Sequence, residues 1–339
     1  MPPRPSRQRL RDIWLVAGVG VVLAVAGWLL RSTRLGVGLD DTAQFVAGVV
    51  AWLTCRRAAR SPYAVPRAWT LAGRASLSWA IGEAILSFQH IVLNSTTRPS
   101  LGDIAFGVAA VYALRAPLAF PAALTRLSTR SRVLLEGAVI ASSALFIVWM
   151  EVLIPYYKPG ESHTQLALAM AYPLLDIVII SLVLATLARA PHQHALSLGA
   201  AALGLTALAG TNLAEACLGV VRETTPLVSL WDVGFVIGLS LVATGAALDG
   251  VGAPHRLVER VAWLQKFLPY LPTPAMLFVI WTHRREVPDG PMVLLFVFGA
   301  MMVARQLVLA AENSNLFEDH QRAMEGVVFA LLPRRERRL

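Results

Sequence analysis

The chain has 339 residues, of which 56% are hydrophobic and 15% charged, with a mean hydropathy of +0.59. That balance excludes a soluble domain of this size and points to a polytopic membrane protein. The net charge of +9 is nearly all arginine, Lys158 and Lys266 being the only lysines, and the only two cysteines are Cys55 and Cys217, so the charge reads as loop charge that orients spans and meets anionic lipid rather than as a nucleic-acid surface, and no disulfide framework or cysteine metal site is expected.

Met1 to Arg11 is basic and leads into an apolar run without a small-residue cleavage site, which predicts an uncleaved first span. From there, hydropathy predicts ten spans of bilayer length: Ile13–Leu30, Asp41–Cys55, Ala68–Leu93, Leu101–Ala119, Val133–Pro155, Thr164–Leu187, Ala195–Val220, Leu227–Leu248, Phe267–Trp281 and Pro291–Leu309. The second is short, and Pro269, Pro272 and Pro274 interrupt the ninth, whose freed backbone groups need partners inside the bundle. The expected organisation is a basic N-terminus (1–12), an all-α transmembrane bundle (13–309) and a cytoplasmic helix with a basic tail (310–339).

Loop charge orients these spans. Arg4, Arg7, Arg9 and Arg11, then Arg56, Arg57, Arg60 and Arg67, then Arg126, Arg130 and Arg132, then Arg189, and finally Arg256, Arg260 and Lys266 put fifteen basic residues on one side. The opposite loops carry seven: Arg31, Arg34, Arg98, Lys158, Arg222, Arg284 and Arg285. The richer side is cytoplasmic by the positive-inside rule, which places both termini inside a cell membrane.

A degenerate repeat runs through the spans. Asp41, Asp103, Asp176 and Asp232 recur at or near the outer start of the even spans, and Asp289 follows them more loosely. Glu83, Glu151 and Glu215 sit within the odd spans that precede three of these. The body therefore reads as stacked two-helix units. A carboxylate in hydrocarbon is costly and turns inward to a partner. Glu83, Asp103, Glu151, Asp176, Asn212, Glu215 and Asp232, with Trp79, Trp149, Tyr172 and Trp231 as aromatic walls, form the candidate binding set for a small ligand of cationic or hydrogen-bonding character. The bland alternative makes the aspartates helix caps and the aromatics interface anchors. A third use, proton- or ion-coupled transport of a small solute, calls for discontinuous spans in matching halves.

The histidines carry no metal or haem spacing, since no pair lies four apart on one helix, and His192-Gln-His194 reads as a solvated loop. No phosphate loop, catalytic triad or nucleotide motif marks an enzyme, so neither catalytic activity nor a cofactor is expected.

The last span runs on past Arg305 without a proline between Met292 and Leu332, which predicts one helix leaving the bilayer. Ala310, Phe317, Met324 and Leu331 then recur every seven residues, while their partner positions three residues on are Asn313, His320 and Val327. This is a weak helix-pairing seam, compatible with a homodimer or a signalling partner, or with an amphipathic helix lying on the membrane.

The repeated Leu-x-Asp at Asp103, Asp176 and Asp232, the arginine-rich inner loops, and the exit sequence Ala304-Arg-Gln-Leu-Val-Leu-Ala-Ala-Glu-Asn-Ser-Asn-Leu-Phe-Glu-Asp319 together resemble the N-terminal membrane sensory regions of actinobacterial cyclic-di-GMP signalling proteins. There a multi-span region feeds a diguanylate cyclase and often a phosphodiesterase. The resemblance implies a sensory module in which the last span signals to the cytoplasmic helix. No GGDEF- or EAL-type sequence is present, so it carries no catalytic residue over. The expected output acts through a partner.

Overall fold

The computed structural model describes residues 7–62, 64–93, 100–120, 127–153, 163–188, 190–222, 228–249 and 272–283, together with 292–293, 295–304 and 307. Among these residues the chain is all-helical, with no strand. The seam residues Ala310, Phe317, Met324 and Leu331 lie outside the described residues.

Helix α1 (Arg7–Leu29) gives way through a short turn to α2 (Arg34–Ala58), where Thr33 is extended and its hydroxyl accepts from the Gly36 amide at 3.1 Å. The predicted short second span is thus a 25-residue helix, because its charges sit near the ends and leave the middle free to pack. Helix α3 (Pro66–Ile91) starts on a proline, whose fixed φ suits the first helical position. Helix α4 (Leu101–Arg115) ends two residues before Pro117, which opens a 3-10 turn at Pro117–Ala119. Helix α5 (Leu127–Val148) widens into a π turn at Trp149–Leu153. Helices α6 (His163–Leu187) and α7 (His192–Arg222) follow, then a 3-10 turn at Leu230–Asp232 and α8 (Val233–Leu248). Helix α9 (Pro272–Thr282) carries Pro272 and Pro274 in its first turn, where they cost no hydrogen bond, so these two prolines start the helix and do not interrupt it. A last apolar helix, α10, covers Leu295–Ala304.

Among the described residues, five helical stretches are long and apolar enough to cross a membrane: Leu10–Leu29, Leu101–Ala119, Leu134–Glu151, Gln193–Glu215 and Leu230–Leu248. Large apolar side chains also point outward, among them Val22, Ile104, Leu203 and Phe296, each more than 60% exposed. In water such a surface would be an aggregation liability.

Neighbouring contacts close a ring in the order α2, α3, α4, α6, α7, α8 and back to α2. Helix α1 packs outside against α2 and α8, α5 packs on α6, and α9 packs on α5 through Phe146, Met150, Met276 and Val279. Small residues let these helices approach closely, as expected where lipid supplies no hydrophobic drive between helices. A Cβ added at Gly238 of α8 would stand 2.7 Å from the Gly204 carbonyl oxygen of α7, and one at Gly245 would stand 2.6 Å from that of Ser197. Ala24, Ala43, Ala47, Ala51 and Ala243 do the same work where α1, α2 and α8 meet.

Candidate functional site

A partly open cavity of about 130 Å³ lies between α3, α4, α6, α7 and α8. Each helix brings a stripe of residues at three- and four-residue spacing, the geometry that puts side chains on one face. Helix α3 contributes Trp69, Ala72, Ser76 and Trp79, and α4 contributes Phe106, Ala109 and Ala113. Helix α6 adds Tyr172, Asp176, Ile179 and Val183, α7 adds Leu198, Leu205, Leu208 and Asn212, and α8 adds Leu239 and Val242. The walls are mostly alanine and aliphatic carbon, so the polar groups that do face the cavity decide what it can hold.

Those groups collect at one end. Asn212 Nδ2 donates to Asp176 Oδ2 at 2.5 Å, tying α6 to α7. One turn earlier on α6, the Tyr172 hydroxyl donates to Asp103 Oδ1 at 2.6 Å, and Asp103 Oδ2 accepts from the Ser100 amide at 2.6 Å at the start of α4. The ring of Phe106 meets Trp79 at 5.0 Å and Tyr172 at 6.2 Å, both edge to face, and Trp79 also leans on Phe235 at 5.2 Å. The indole nitrogen of Trp79 is buried here without a hydrogen-bond partner, and an unmet buried donor costs free energy of the order of 1–3 kcal/mol.

At the other end, Trp69 and Phe120 close the cavity edge to face, with centroids 5.8 Å apart. Behind them lies a buried polar latch. His194 Nδ1 is 2.6 Å from Asp249 Oδ1, while Trp69 Nε1 and the Val65 amide donate to Asp249 Oδ2 at 2.6 and 3.0 Å. The side chains of His194 and Asp249 are 3% and 0% exposed. The reading of His192-Gln-His194 as a solvated loop is therefore corrected: His194 lies in the first turn of α7 and is sealed beneath the ring of Phe120, 6.1 Å away. Sequence spacing gives no hint of this pair. The available signal was positional, since His194 opens one apolar run and Asp249 closes the next, which puts both at the same end of adjacent helices.

Of the eleven residues in the candidate set, Trp79, Tyr172, Asp176 and Asn212 line the cavity and Asp103 stands behind Tyr172. The other six lie elsewhere. Glu83 is buried on α3, one turn beyond Trp79, and Glu215 lies one turn beyond Thr211 on α7; both make interactions of their own. Glu151 is 47% exposed in the π turn beside Trp149, 3.7 Å from His283, the residue after α9. Trp231 is 56% exposed. Asp232 accepts from the Ser229 amide at 2.6 Å, so it, like Asp103, supplies the carboxylate of a capping box.

Asp232 also meets a feature that the sequence reading took up only in part. Asp40 and Asp41 of α2 face it, with Asp40 Oδ2 accepting from Gln44 at 2.8 Å and Ser87 donating to Asp41. Asp40 is 1% exposed. This group ties α2, α3 and α8 at the end of the ring opposite the His194–Asp249 latch. Among the described residues no group of three or more His, Cys, Asp or Glu is placed to hold a metal ion. No family model, curated protein or solved structure matches the chain.

Proposed function

We propose that the chain is the membrane sensory part of a signalling system. In this reading about ten spans, built as helical hairpins, sit in the cell membrane with both termini in the cytoplasm. A small ligand enters the cavity between α3, α4, α6, α7 and α8, and the last span relays its presence to the cytoplasmic helix that carries Ala310, Phe317, Met324 and Leu331. The observation that carries this reading is the cavity itself: apolar along its length, polar at one end, and bounded at the other by a buried latch that joins three helix ends. A ligand that displaces Trp69 or Phe120 pushes directly on Asp249 or His194, which is the differential contact a relay requires. The excess of arginine on one set of loops supports the orientation. Kinship with the membrane regions of cyclic-di-GMP signalling proteins belongs to the same proposal and rests on the Leu-x-Asp repeats and the exit sequence.

The test is disulfide crosslinking in native membranes, after Cys55 and Cys217 are replaced by serine. Single cysteines at Phe317, Met324 and Leu331 are expected to give dimers, and those at Glu312, Glu318 and Glu325 are not. Equal or absent crosslinking at both sets would leave the tail a monomeric surface helix and remove the relay.

The π turn favours a second reading, small-solute or ion-coupled transport. It breaks α5 at an acid that faces an imidazole, and π turns recur at functional sites. On that reading Glu151→Gln abolishes uptake; on the sensory reading it leaves no transport defect.

A further inference from the structure

We propose that the outer face of α3 and α4 binds an anionic phospholipid, its phosphate held by Arg74 and Arg115 and an acyl chain laid along the two helices. The proposal needs this face to lie in lipid, and it holds whether the chain senses or transports. It starts from the position of Arg74, which is exposed and stands more than two turns inside α3. Its guanidinium lies over the Tyr112 ring of α4, 5.8 Å from the centroid, a cation–π contact. Tyr112 belongs to the span-length stretch Leu101–Ala119 and lies about 10 Å from its end at 1.5 Å per residue. Among the described residues, Arg31 and Arg56 also lie over rings, those of Trp28 and Trp52. Arg31 follows the end of α1 and Arg56 sits in the last turn of α2, where water is at hand. Arg74 lies against the body of a span.

Both helices repeat the same pattern. They run antiparallel, with Leu86 beside Gly102 and Arg74 beside Tyr112, so the start of α3 adjoins the end of α4. On α3, Arg67, Arg74, Ile81 and Phe88 recur every two turns and are all exposed. On α4, Ile104, Val111 and Arg115 form an exposed stripe. Each stripe is apolar over most of its length and basic at the shared end. Among the described residues no acidic side chain pairs with Arg67, Arg74 or Arg115.

A cation facing hydrocarbon is costly and seeks an anion. An anionic phospholipid meets both parts of this surface in one molecule. Its phosphate takes the forked donors of arginine, and its acyl chain covers the aliphatic stripe. A choline phospholipid brings a cation that the same arginines repel. A free phosphate leaves the apolar stripe bare. The depth of Tyr112 within an apolar span argues against a soluble acidic partner.

The experiment uses the full chain in detergent and native mass spectrometry, with dioleoyl-phosphatidylglycerol and dioleoyl-phosphatidylcholine as probes. The expected result is saturable binding of the glycerol lipid, about tenfold tighter than the choline lipid, the scale of one charge-assisted hydrogen bond. Arg74→Gln is expected to weaken the glycerol lipid by about tenfold and to leave the choline lipid unchanged. Arg115→Gln is expected to act in the same direction and is the variant to read if Arg74→Gln does not fold. Arg31→Gln removes an exposed arginine over a ring elsewhere and is expected to leave both lipids at their wild-type affinities.

Equal affinity of the wild type for the two lipids would overturn the proposal. So would a loss on Arg31→Gln as large as that on Arg74→Gln, because the preference would then follow net charge and not this face. Unchanged binding in both Arg74→Gln and Arg115→Gln would move the lipid to another surface and overturn the site. Displacement of the lipid by glycerol 3-phosphate would make this a site for a free phosphate and overturn the lipid as its occupant.

Discussion

Asp249 holds three partners at once. Its two oxygens serve His194, Trp69 and the Val65 amide, so one carboxylate fixes the starts of α3 and α7 against the end of α8. Removing one member of such a buried set leaves the others without a partner, a cost of about 3–5 kcal/mol. Asp249→Ala is therefore expected to lower the thermal midpoint of the purified chain by many degrees. Trp69→Phe removes one donor of three, and the expected loss is nearer 1–2 kcal/mol. Coupling should be large: His194→Phe added to Asp249→Leu is expected to cost less than the two single losses combined. Thermal-shift measurements in detergent decide this, and an Asp249→Ala midpoint at the wild-type value would mean that the latch does not hold these ends together. At this scale the sequence was legible in part. The aspartates at Asp103 and Asp232 announce helix starts through their position alone, and both serve there. His194 and Asp249 are 55 residues apart and find each other only through the packing of α7 on α8. No local pattern encodes that.

The helices were largely readable as elements because hydropathy and proline mark them directly. Their irregularities were less so. Pro272 and Pro274 read as part of a break yet lie in the first turn of α9, since proline is harmful inside a helix and harmless at its start. No residue of the π turn at Trp149–Leu153 is a helix breaker, so composition does not announce it. Glycine shows a dependence on packing. Gly107 and Gly238 look alike in sequence, each in an apolar helix. Gly107 of α4 has nothing within 4 Å of an added Cβ, whereas Gly238 meets the Gly204 carbonyl oxygen and the Leu208 side chain at 2.7 Å. Gly107→Ala is expected to be neutral or to stabilise by up to about 1 kcal/mol through helix propensity. Gly238→Ala is expected to destabilise by about 1–3 kcal/mol, because the contact across the α7–α8 crossing is backbone and cannot swing away. If the two variants shift the thermal midpoint alike, the close crossing of α7 and α8 is not what holds this side of the ring.

At the scale of the whole molecule, the ring needs α2 and α3 as much as the apolar α4, α6, α7 and α8, yet these two are the least hydrophobic of its members. Helix α2 carries Arg34, Asp40 and Asp41 near one end and Arg56 and Arg57 at the other, with no charge between. At 1.5 Å per residue its 25 residues extend about 37 Å, more than the ~30 Å of a hydrocarbon core. Its arginines therefore fall at the two interfaces if it crosses, while Asp40 and Asp41, further in from Arg34, are turned inward toward Gln44, Ser87 and Asp232 rather than toward lipid. Composition alone reads such a helix as marginal; the packing gives its acids somewhere to go. The consequence is a sharp prediction of topology. With Cys55 and Cys217 replaced by serine, a cysteine at Ser32 and one at Arg60, both exposed and at opposite ends of α2, are expected to react with a membrane-impermeant maleimide from opposite sides. Ser32 should label in intact cells and Arg60 only in inverted vesicles or after lysis, following the arginine excess around Arg56, Arg57, Arg60 and Arg67. Labelling of both from one side would mean that α2 does not cross, and the hairpin arrangement would fail at its first unit. Labelling from opposite sides in the reverse sense would keep the bundle and invert it, moving the Trp79–Asp176 end of the cavity to the cytoplasmic half, where a sensor would read the cell's interior instead of its surroundings.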